Sequence, residues 1–423
     1  MKSKLFIMFA AVILMAACTN EETFDSTPEQ TAKQALGDIR SYDEALQIAQ
    51  NSISLLNNGE DTRASSTRKI NLADSKAVLR DATTRSSDGG NDTLMYVFNF
   101  EDNQGFVIVS ASRRTEDLLA VTEKGNYDPE VGSEVENFNY FMEKAKEYVT
   151  KEPKLRFPPD IPVLYERDSI VSEVQRVGPY VTVLWGQTHP EGQSCPNGVA
   201  GCTNTALAQI MSYFEYPSSV YLTYNDLDSV EQVLNWTQMK EHPATLHPIS
   251  LCPYPEAHGA IANFVRQLGV LTNSSYETNP NRTGTEPGYA RIALNMLGYH
   301  HSSFYIYDYN TACDSLDNQK LVLMGGGSDV NTGGHAWVFD GYMKIKTYIY
   351  HLERVSANSN EWIIVGVDIT RQNLCHYNWG WYGNCNGYFA SNVFDTSAGT
   401  IYEGNHTINN NYSENPMVIY VCL

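Results

Sequence analysis

The chain has 423 residues, of which 42% are hydrophobic and 18% are charged, and its formal net charge is -20. This length predicts two or three domains with ordinary hydrophobic cores, and the composition excludes a disordered tail or a fibre. The 49 acidic residues outnumber the 29 basic ones, and no dense basic stripe is present, so we expect no nucleic-acid partner. An aromatic content of 11% together with 29 glycines favours a strand-rich and loop-rich globular protein over a coiled coil or a helical array.

The first residues have the pattern of an export signal. In residues 1-17, Lys2 and Lys4 precede an apolar run that is too short to span a bilayer, as in a secretory signal peptide. The Met-Ala-Ala that precedes Cys18 resembles a bacterial lipobox, which predicts that Cys18 becomes lipidated and anchors the chain to a membrane. The acidic residues that follow resemble the tether of surface lipoproteins in Bacteroides-like bacteria. We therefore expect an exported outer-membrane lipoprotein at the cell surface or in the periplasm; plain signal cleavage near Ala17 is the alternative.

The next part of the chain predicts a small domain of helices and antiparallel strands. Apolar residues recur at helical spacing between positions 45 and 56, which indicates an amphipathic helix. Two apolar runs, 94–100 and 105–110, flank a short polar turn and predict adjacent strands. Residues 134–149 predict a second helix, whose buried face is expected to consist of Phe138, Phe141, Met142, Ala145 and Val149.

A proline-rich segment marks the best domain boundary. Four prolines lie between positions 153 and 162, and the sequence before them is densely charged, whereas the sequence after them has few charges and many aromatic residues. We divide the chain into a signal peptide, an N-terminal domain, a linker with the expected processing region, and a larger C-terminal domain, at residues 1-17, 18-155, 156-171 and 172-423.

Cys202 is the first candidate functional residue. Seven cysteines follow Cys18, and this odd number leaves one of them without a disulfide partner in an exported protein. The apolar spacing after Cys202 predicts a helix that begins at this cysteine. A thiol at a helix N-terminus is favoured as a thiolate, which is the form that attacks carbonyl carbons. Gly201 before it allows the close backbone approach that an oxyanion site requires.

Three further motifs supply candidate partners for this thiol. His335 follows a glycine-rich stretch and opens an apolar strand pattern, so it is the candidate base. Asn378 and Trp379 belong to an Asn-Trp-Gly-Trp run of the kind that orients and shields an imidazole. Gln187, in Trp-Gly-Gln, carries an amide that could donate to an oxyanion beside the Cys202 backbone N–H.

These motifs together resemble the streptopain family of secreted bacterial cysteine peptidases, including interpain-like enzymes. The matching segments are Trp-Gly-Gln, Gly-Cys with Thr-Ala-x-Ala-Gln-Ile-Met, Gly-Gly-His-Ala-Trp-Val, and Asn-Trp-Gly-Trp with Asn-Gly-Tyr-Phe. Residues 105–114 also resemble the propeptide of these enzymes. The resemblance implies a peptidase zymogen that takes protein or peptide substrates, is covered by its own propeptide domain and uses Cys202 as nucleophile with His335 as base.

Two departures from the family pattern bear on the site. Thr203 and Asn204 stand where small apolar residues are usual, which predicts polar groups in the wall beside the thiol. An insertion at 342-377 replaces a short hairpin and predicts a longer pair of strands near the cleft.

The remaining cysteines and histidines give no second site. Six cysteines allow up to three disulfides in fifteen pairings, and free thiols are the alternative; they are Cys195, Cys252, Cys313, Cys375, Cys385 and Cys422. Four histidines are interpreted as surface or core residues, namely His189, His300, His301 and His376. Neither the histidines nor the cysteines have metal-ligand spacing, and no nucleotide-binding motif occurs, so we expect no metal and no cofactor.

The fold class that follows is α+β, with a papain-like catalytic domain behind a small α+β propeptide domain. The expected function is that of a cysteine endopeptidase made as a zymogen. Two alternatives remain open at this stage: a surface lipoprotein that uses the same fold as a binding or inhibitory module, and an amidase or acyl transferase that uses the same Cys-His pair.

Overall fold

The first part of the chain forms a four-stranded antiparallel sheet flanked by two helices. The computed structural model describes residues 39–56, 68–80, 93–151, 167–224, 228–241, 255–278, 281–326, 334–355, 361–394 and 416–423. The elements of this first part are α1 (Tyr42–Ser52), β1 (Ile70–Leu79), β2 (Thr93–Phe100), β3 (Phe106–Ser110), β4 (Leu118–Thr122) and α2 (Glu136–Lys151), with short 3₁₀ turns at Ile53–Leu56 and Glu101–Asn103. The predicted signal peptide and Cys18 lie outside the described residues.

The second part of the chain alternates helices with short hairpins and then adds long strands. Its elements are β5 (Arg167–Val177), α3 (Cys202–Phe214), β6 (Ser219–Tyr224), β7 (Asp228–Val233), α4 (Trp236–Lys240), α5 (Pro255–Leu271), β8 (Ser275–Thr278), β9 (Asn281–Gly284), α6 (Pro287–Met296), β10 (His300–His301), β11 (Tyr305–Ile306), α7 (Tyr309–Asp317), β12 (Leu321–Gly326), β13 (His335–Arg354), β14 (Trp362–Asn378), β15 (Gly387–Ala390) and β16 (Met417–Cys422), with a 3₁₀ turn at Ser391–Val393. None of the helices in the described ranges is long and apolar enough to cross a membrane.

Sequence periodicity predicts the two helices that matter for the site. The apolar face expected for residues 134–149 is the face that α2 buries, since Phe138, Phe141 and Ala145 have no exposed surface. The helix expected from Cys202 onward is α3, which ends at Phe214 and is buried along most of its length. It packs against β12 and β13 on one side and α5 on the other.

One antiparallel sheet runs through both parts of the chain. Its strand order, within the described residues, is β1-β2-β3-β4-β15-β14-β13-β12-β16-β10, and β11 and β5 pair with β16 and β13. The N-terminal sheet therefore continues directly into the C-terminal sheet where β4 pairs with β15, with Phe389 opposite Ala120. These features confirm the predicted α+β fold with an antiparallel sheet facing a helical part.

The predicted insertion forms an arm that leads away from the start of β13. Tyr342 to Leu352 of β13 pair with β14 on one side and with β5 on the other. At about 3.3 Å per residue, Tyr342 to Leu352 extend over roughly 36 Å. The insertion is a longer pair of strands, as expected, but it begins roughly 23 Å along β13 from His335 and extends away from it. The strand β5 also begins inside the predicted linker 156-171, at Arg167.

Candidate active site

Cys202 is the first residue of α3 and follows a glycine that the backbone requires. Gly201 caps the helix with φ of 88°, in the left-handed region that favours glycine. A Cβ at this position would also lie 2.9 Å from the Cγ2 atom of Thr283. The chain therefore places the thiol at the N-terminus of a buried helix, where no larger residue could precede it without displacing the β9 strand.

His335 is the first residue of β13, and the strand is held on both sides at this point. His335 pairs with Gly326 of β12, and Val338 pairs with Asn378 of β14. The backbone N–H of Ala336 lies beside the Cys202 thiol. The structure thus brings together three of the predicted site motifs, because β13 joins the histidine to the start of α3 and to the end of β14.

The pKa shifts of Cys202 and His335 do not favour the thiolate that a helix N-terminus was expected to stabilise. Burial raises the pKa of the Cys202 thiol, Glu136 acts in the same direction, and the N–H groups of Ala336 and Thr203 oppose them. Burial also lowers the pKa of His335, which Glu136 partly offsets. The thiol and the imidazole are both favoured as neutral groups, so in the intact chain the thiolate–imidazolium pair is disfavoured.

Gln187 lies in the loop that leads to the helix. The residue is 9% exposed. Its backbone carbonyl oxygen accepts a hydrogen bond of 2.7 Å from the backbone N–H of Ala200, two positions before Cys202. The loop is therefore tied back onto the segment that carries the thiol, which keeps Gln187 close to the start of α3.

The side chain of Asn378 connects helix α3 to the two segments that contain Trp185 and Trp379. Its Nδ2 donates to the carbonyl of Val183 (3.1 Å), and its Oδ1 accepts from Gln209 Nε2 (3.0 Å) and from the Gly380 N–H (3.2 Å). Gln209 of α3 also donates to the carbonyl of Trp185. Among the described contacts, Asn378 makes no hydrogen bond to His335, so it braces α3, the Trp185 segment and β14 instead of touching the imidazole.

Trp379 is a buried packing residue next to the histidine strand. Its ring has no exposed surface and lies 5.3 Å from the ring of Trp337, two residues after His335. Its Nε1 donates to the carbonyl of Cys385, and its backbone N–H donates to Asn386. The ring is fixed by these bonds and closes the core behind the start of β13.

Thr203 and Asn204, the two departures from the family pattern at the start of α3, lie in different surroundings. The Thr203 hydroxyl lies beside the Cys202 thiol, as the sequence predicts. Asn204 is fully buried and points into the core, where Nδ2 donates to Ala200 O and Oδ1 accepts from Thr272. The prediction of a polar cleft wall is wrong for Asn204, because a half-turn of helix separates it from the thiol face.

The N-terminus of helix α2 contacts the candidate site directly. Glu136 Oε2 lies 3.6 Å from His335 Nδ1, although 67% of the Glu136 side chain is exposed. Asn137 is fully buried, and its Nδ2 donates to the carbonyls of Ala336 (2.9 Å) and Trp379 (3.2 Å). The N-terminus of α2 therefore joins the histidine strand to the tryptophan segment.

A buried ion cluster lies where the two sheets join. His376 of β14 is 2.6 Å from Asp340 through Nδ1 and 3.6 Å from Glu123, at the end of β4, through Nε2. Burial would lower the pKa of His376, but the two carboxylates outweigh it and raise the pKa to about 10. Burial would raise the pKa of Glu123, but the contact with His376 lowers it. A charged histidine thus links a propeptide carboxylate to a catalytic-domain carboxylate.

The remaining predicted residues form no second centre. The five described cysteines outside the site form no disulfide with one another, so the predicted alternative to three disulfides holds for them; Cys252 lies outside the described residues. The described part of the chain contains no cluster of three potential metal ligands.

Sequence patterns did not single out Glu136, Asn137, Glu123 or Tyr382 as site residues. Glu136 and Asn137 open an amphipathic helix that reads as ordinary, and only the packing of α2 against β13 shows what they contact. Tyr382 stands in the aromatic Asn-Trp-Gly-Trp-Tyr run, so proximity to that motif was the one available signal.

Two family profiles match the chain in succession. Residues 182–389 match the Peptidase C10 family, and residues 34–149 match the Spi protease inhibitor family. The two matches leave residues 150–181 between them, a segment that contains the proline-rich linker and β5.

Similar proteins support the same assignment. Streptopain from Streptococcus pyogenes is 26% identical over 342 residues, which cover 72% of this chain and 75% of streptopain. The thiol protease/hemagglutinin PrtT of Porphyromonas gingivalis is 22% identical over 361 residues, but the match covers only 37% of its length. The structure of a prointerpain A fragment from Prevotella intermedia covers 83% of this chain with 19% identity and a TM-score of 0.50, a likeness that concerns the fold. The C-terminal part of the chain thus matches the Peptidase C10 family and the N-terminal part matches a Spi-type inhibitor domain, and the chain is a cysteine-type peptidase with a papain-like fold.

Proposed function

We propose that the chain is an exported cysteine endopeptidase, made as a zymogen, in which Cys202 and His335 cleave peptide bonds through an acyl-enzyme. The observation that carries this proposal is the meeting of α3 and β13, which brings the N–H of Ala336, the residue after His335, beside the Cys202 thiol. A nucleophile and a base on adjoining rigid elements form the arrangement that thiol catalysis requires.

The proposed reaction has two halves, acylation of Cys202 and hydrolysis of the acyl-enzyme. His335 takes the thiol proton, and the Cys202 sulfur forms a bond to the substrate carbonyl carbon. The negative oxygen then accepts hydrogen bonds from the Cys202 N–H and the Gln187 amide, and the imidazolium gives its proton to the leaving amine as the C–N bond breaks. Water attacks the thioester with His335 as base, which frees the acid and restores the thiol. In this scheme Trp379 keeps water from the back of the imidazole, and Asn378 holds the supporting framework.

In the proposed zymogen, helix α2 of the propeptide keeps the intact chain inactive. Glu136 and Asn137 occupy the neighbourhood of His335, and the thiol and imidazole are both favoured as neutral groups there. Removal of α2 would expose the histidine to solvent and free it from Glu136. We place the processing cut in residues 152–166, between the end of α2 and the start of β5, so that β5 stays with the mature enzyme as a strand of the arm.

Export and membrane attachment rest on the sequence alone. The apolar run in residues 1-17 and the lipobox-like residues before Cys18 support a lipidated N-terminus on an outer-membrane protein. Labelling of growing cells with a radioactive fatty acid tests this part, because a Cys18→Ser chain should not take up label, whereas a Cys422→Ser chain should. Label on the Cys18→Ser chain would contradict it.

The peptidase assignment is tested by casein cleavage with four forms of the protein after proteolytic removal of the propeptide. Cys202→Ala and His335→Ala should each lose more than about 1,000-fold in turnover, as expected for members of a catalytic unit. Cys422→Ala, which removes another partly exposed thiol, should retain full activity. Full activity of the Cys202→Ala protein would refute the assignment, and amine incorporation in place of hydrolysis would favour an acyl transferase.

A further inference from the structure

Tyr382 contacts the Gln187 loop on both sides of the glutamine. Its ring lies so close to Gly186 that a Cβ there would be 2.2 to 2.5 Å from ring atoms. Its hydroxyl accepts from the Thr188 N–H (2.9 Å), lies 2.8 Å from the Thr188 hydroxyl, and donates to the carbonyl of His189 (3.2 Å). One tyrosine therefore holds the residues immediately before and after Gln187.

Other hydrogen bonds also hold this loop, but each of the described ones reaches a single residue. The Gln187 carbonyl accepts from the Ala200 N–H, the Thr188 carbonyl from the Gly192 N–H, and the Gly186 carbonyl from the Thr205 hydroxyl. Thr188 and His189 are both exposed, so Tyr382 supplies the contact that spans both sides of the glutamine. The hydroxyl of Tyr382 donates one bond and accepts two, which uses all of its capacity. Burial raises the pKa of Tyr382 to about 12, so the hydroxyl keeps its proton in neutral solution.

Tyr382 is itself held in a fixed turn. Its backbone has φ of 56°, in the left-handed region, within the turn that follows Asn378 and Trp379. In the intact chain its carbonyl accepts a 3.0 Å hydrogen bond from Lys124 Nζ of the propeptide. The tyrosine thus connects the turn after the tryptophan segment to the residues on both sides of Gln187.

We propose that Tyr382 is a positioning residue for the oxyanion site: it holds Gln187 in place so that the amide meets the negative oxygen that forms during acyl transfer. This inference rests on the proposed function of Cys202 and Gln187. A donor displaced by about 1 Å loses much of its effect on a developing charge, and removal of a whole oxyanion donor costs about 100-fold to 1,000-fold in kcat. Loss of the positioning contact is expected to cost less, about 10-fold.

The test compares two reactions of the same thiol in the processed enzyme. Hydrolysis of a peptide substrate passes through an oxyanion, whereas alkylation by iodoacetamide displaces iodide at a CH₂ carbon and forms no oxyanion. Tyr382→Phe keeps the ring against Gly186 and removes only the hydroxyl. We expect kcat to fall about 10-fold with KM changed less than about 2-fold, while the alkylation rate of Cys202 and the thermal unfolding midpoint stay within about 1.5-fold and 2 °C of wild type.

Two comparisons complete the design. Tyr382→Phe combined with Gln187→Ala should be no slower than Gln187→Ala alone within about 2-fold, since both changes remove the same function. Tyr221→Phe, at an exposed tyrosine of β6, should match wild type. If Tyr382→Phe does not fold, Thr188→Ala at the exposed loop residue takes its place, with an expected kcat loss of about 3-fold.

Each outcome decides the matter. Equal loss of hydrolysis and alkylation would mean that Tyr382 is structural only and would overturn the inference, as would unchanged kcat in Tyr382→Phe or, where that protein does not fold, in Thr188→Ala. Additive losses in the double variant would also overturn it. Activity in Cys202→Ala would instead defeat the proposed function, so the two failures are distinguishable.

Discussion

The propeptide meets the catalytic domain in two regions that are built differently. At the sheet junction, β4 pairs with β15 through the backbone, and a buried histidine joins carboxylates from both sides. At the candidate site, the N-terminus of α2 contributes a single buried amide and a largely exposed carboxylate. The comparison indicates that the junction holds the propeptide in place, whereas α2 blocks the chemistry. Changes at the first region should alter stability, and changes at the second should alter latency.

The largest effect is expected from breaking the ion cluster at the junction. His376→Asn leaves the buried Asp340 and the partly exposed Glu123 without their shared positive charge, which should destabilise the intact chain by about 3–5 kcal/mol. Urea unfolding of the Cys202→Ala background, which prevents self-cleavage, measures this change. His351→Asn is the matched control, because its partner Asp368 is 73% exposed on the arm, and it should cost at most about 1 kcal/mol. Equal losses in both variants would contradict the distinction.

The same cluster should give the junction a characteristic pH dependence. The pKa of His376 is raised to about 10 in the folded chain from about 6.5 when unfolded, so its contribution is complete below about pH 6.5 and lost as the pH rises through about 10. Stability should fall by about 2 kcal/mol between pH 7 and 8.5, at roughly 1.4 kcal/mol per unit. Unfolding midpoints at several pH values measure the slope. His376→Asn should remove most of it, and an unchanged slope in that variant would argue against the cluster.

A smaller effect is expected at the buried amide of α2. Asn137→Ala leaves the carbonyls of Ala336 and Trp379 without their donor, which should weaken the seating of the helix by about 1–3 kcal/mol. The rate at which iodoacetamide alkylates Cys202 in the uncleaved chain should rise about 10-fold, with little change in the junction's pH dependence. Asn139→Ala serves as a control, because the described side-chain hydrogen bonds of Asn139 go to Ser133, in the loop before α2. A rise of the same size in the control would refute a specific role for Asn137.

The smallest effect is expected from Glu136. Glu136→Gln removes a charge 3.6 Å from His335 that solvent largely screens, so alkylation in the uncleaved chain should rise only about 2-fold to 3-fold. The increase should occur because Glu136 disfavours the Cys202 thiolate. Glu130→Gln, at an exposed carboxylate on the loop before α2, should have no effect. A decrease in Glu136→Gln would mean that the carboxylate activates the histidine instead.

Local sequence patterns predicted the parts of the structure that local forces determine. The apolar periodicity of α2 and α3 was readable because each helix buries an apolar face, and the spacing after Cys202 predicted the start of α3. The antiparallel pair β2 and β3 followed from two apolar runs around a short turn. The roles predicted for Cys202, His335, Gln187, Asn378 and Trp379 remain predictions, although the structure brings their elements together.

The contacts that control the site could not be predicted in the same way. Asn137 and Ala336 are 199 residues apart in the chain, and their hydrogen bond depends on how α2 packs against β13. His376 was interpreted as a surface or core residue, and its charge depends on Glu123 across the sheet junction. The strand β5 was hidden because its short apolar alternation directly follows the prolines of the linker, and only its partner β13 reveals it.

The central claim is that Cys202 is the nucleophile of a zymogen, and intact-mass analysis tests it most directly. A soluble form of the chain that begins at Thr19 is incubated under reducing conditions, with and without an epoxide probe for cysteine proteases, beside its Cys202→Ala and Cys422→Ala variants. The wild-type and Cys422→Ala proteins should lose the N-terminal part up to a cut within residues 152–166 and should bind one probe molecule. The Cys202→Ala protein should remain whole and unlabelled. Cleavage or labelling of Cys202→Ala equal to that of the wild type would contradict the account.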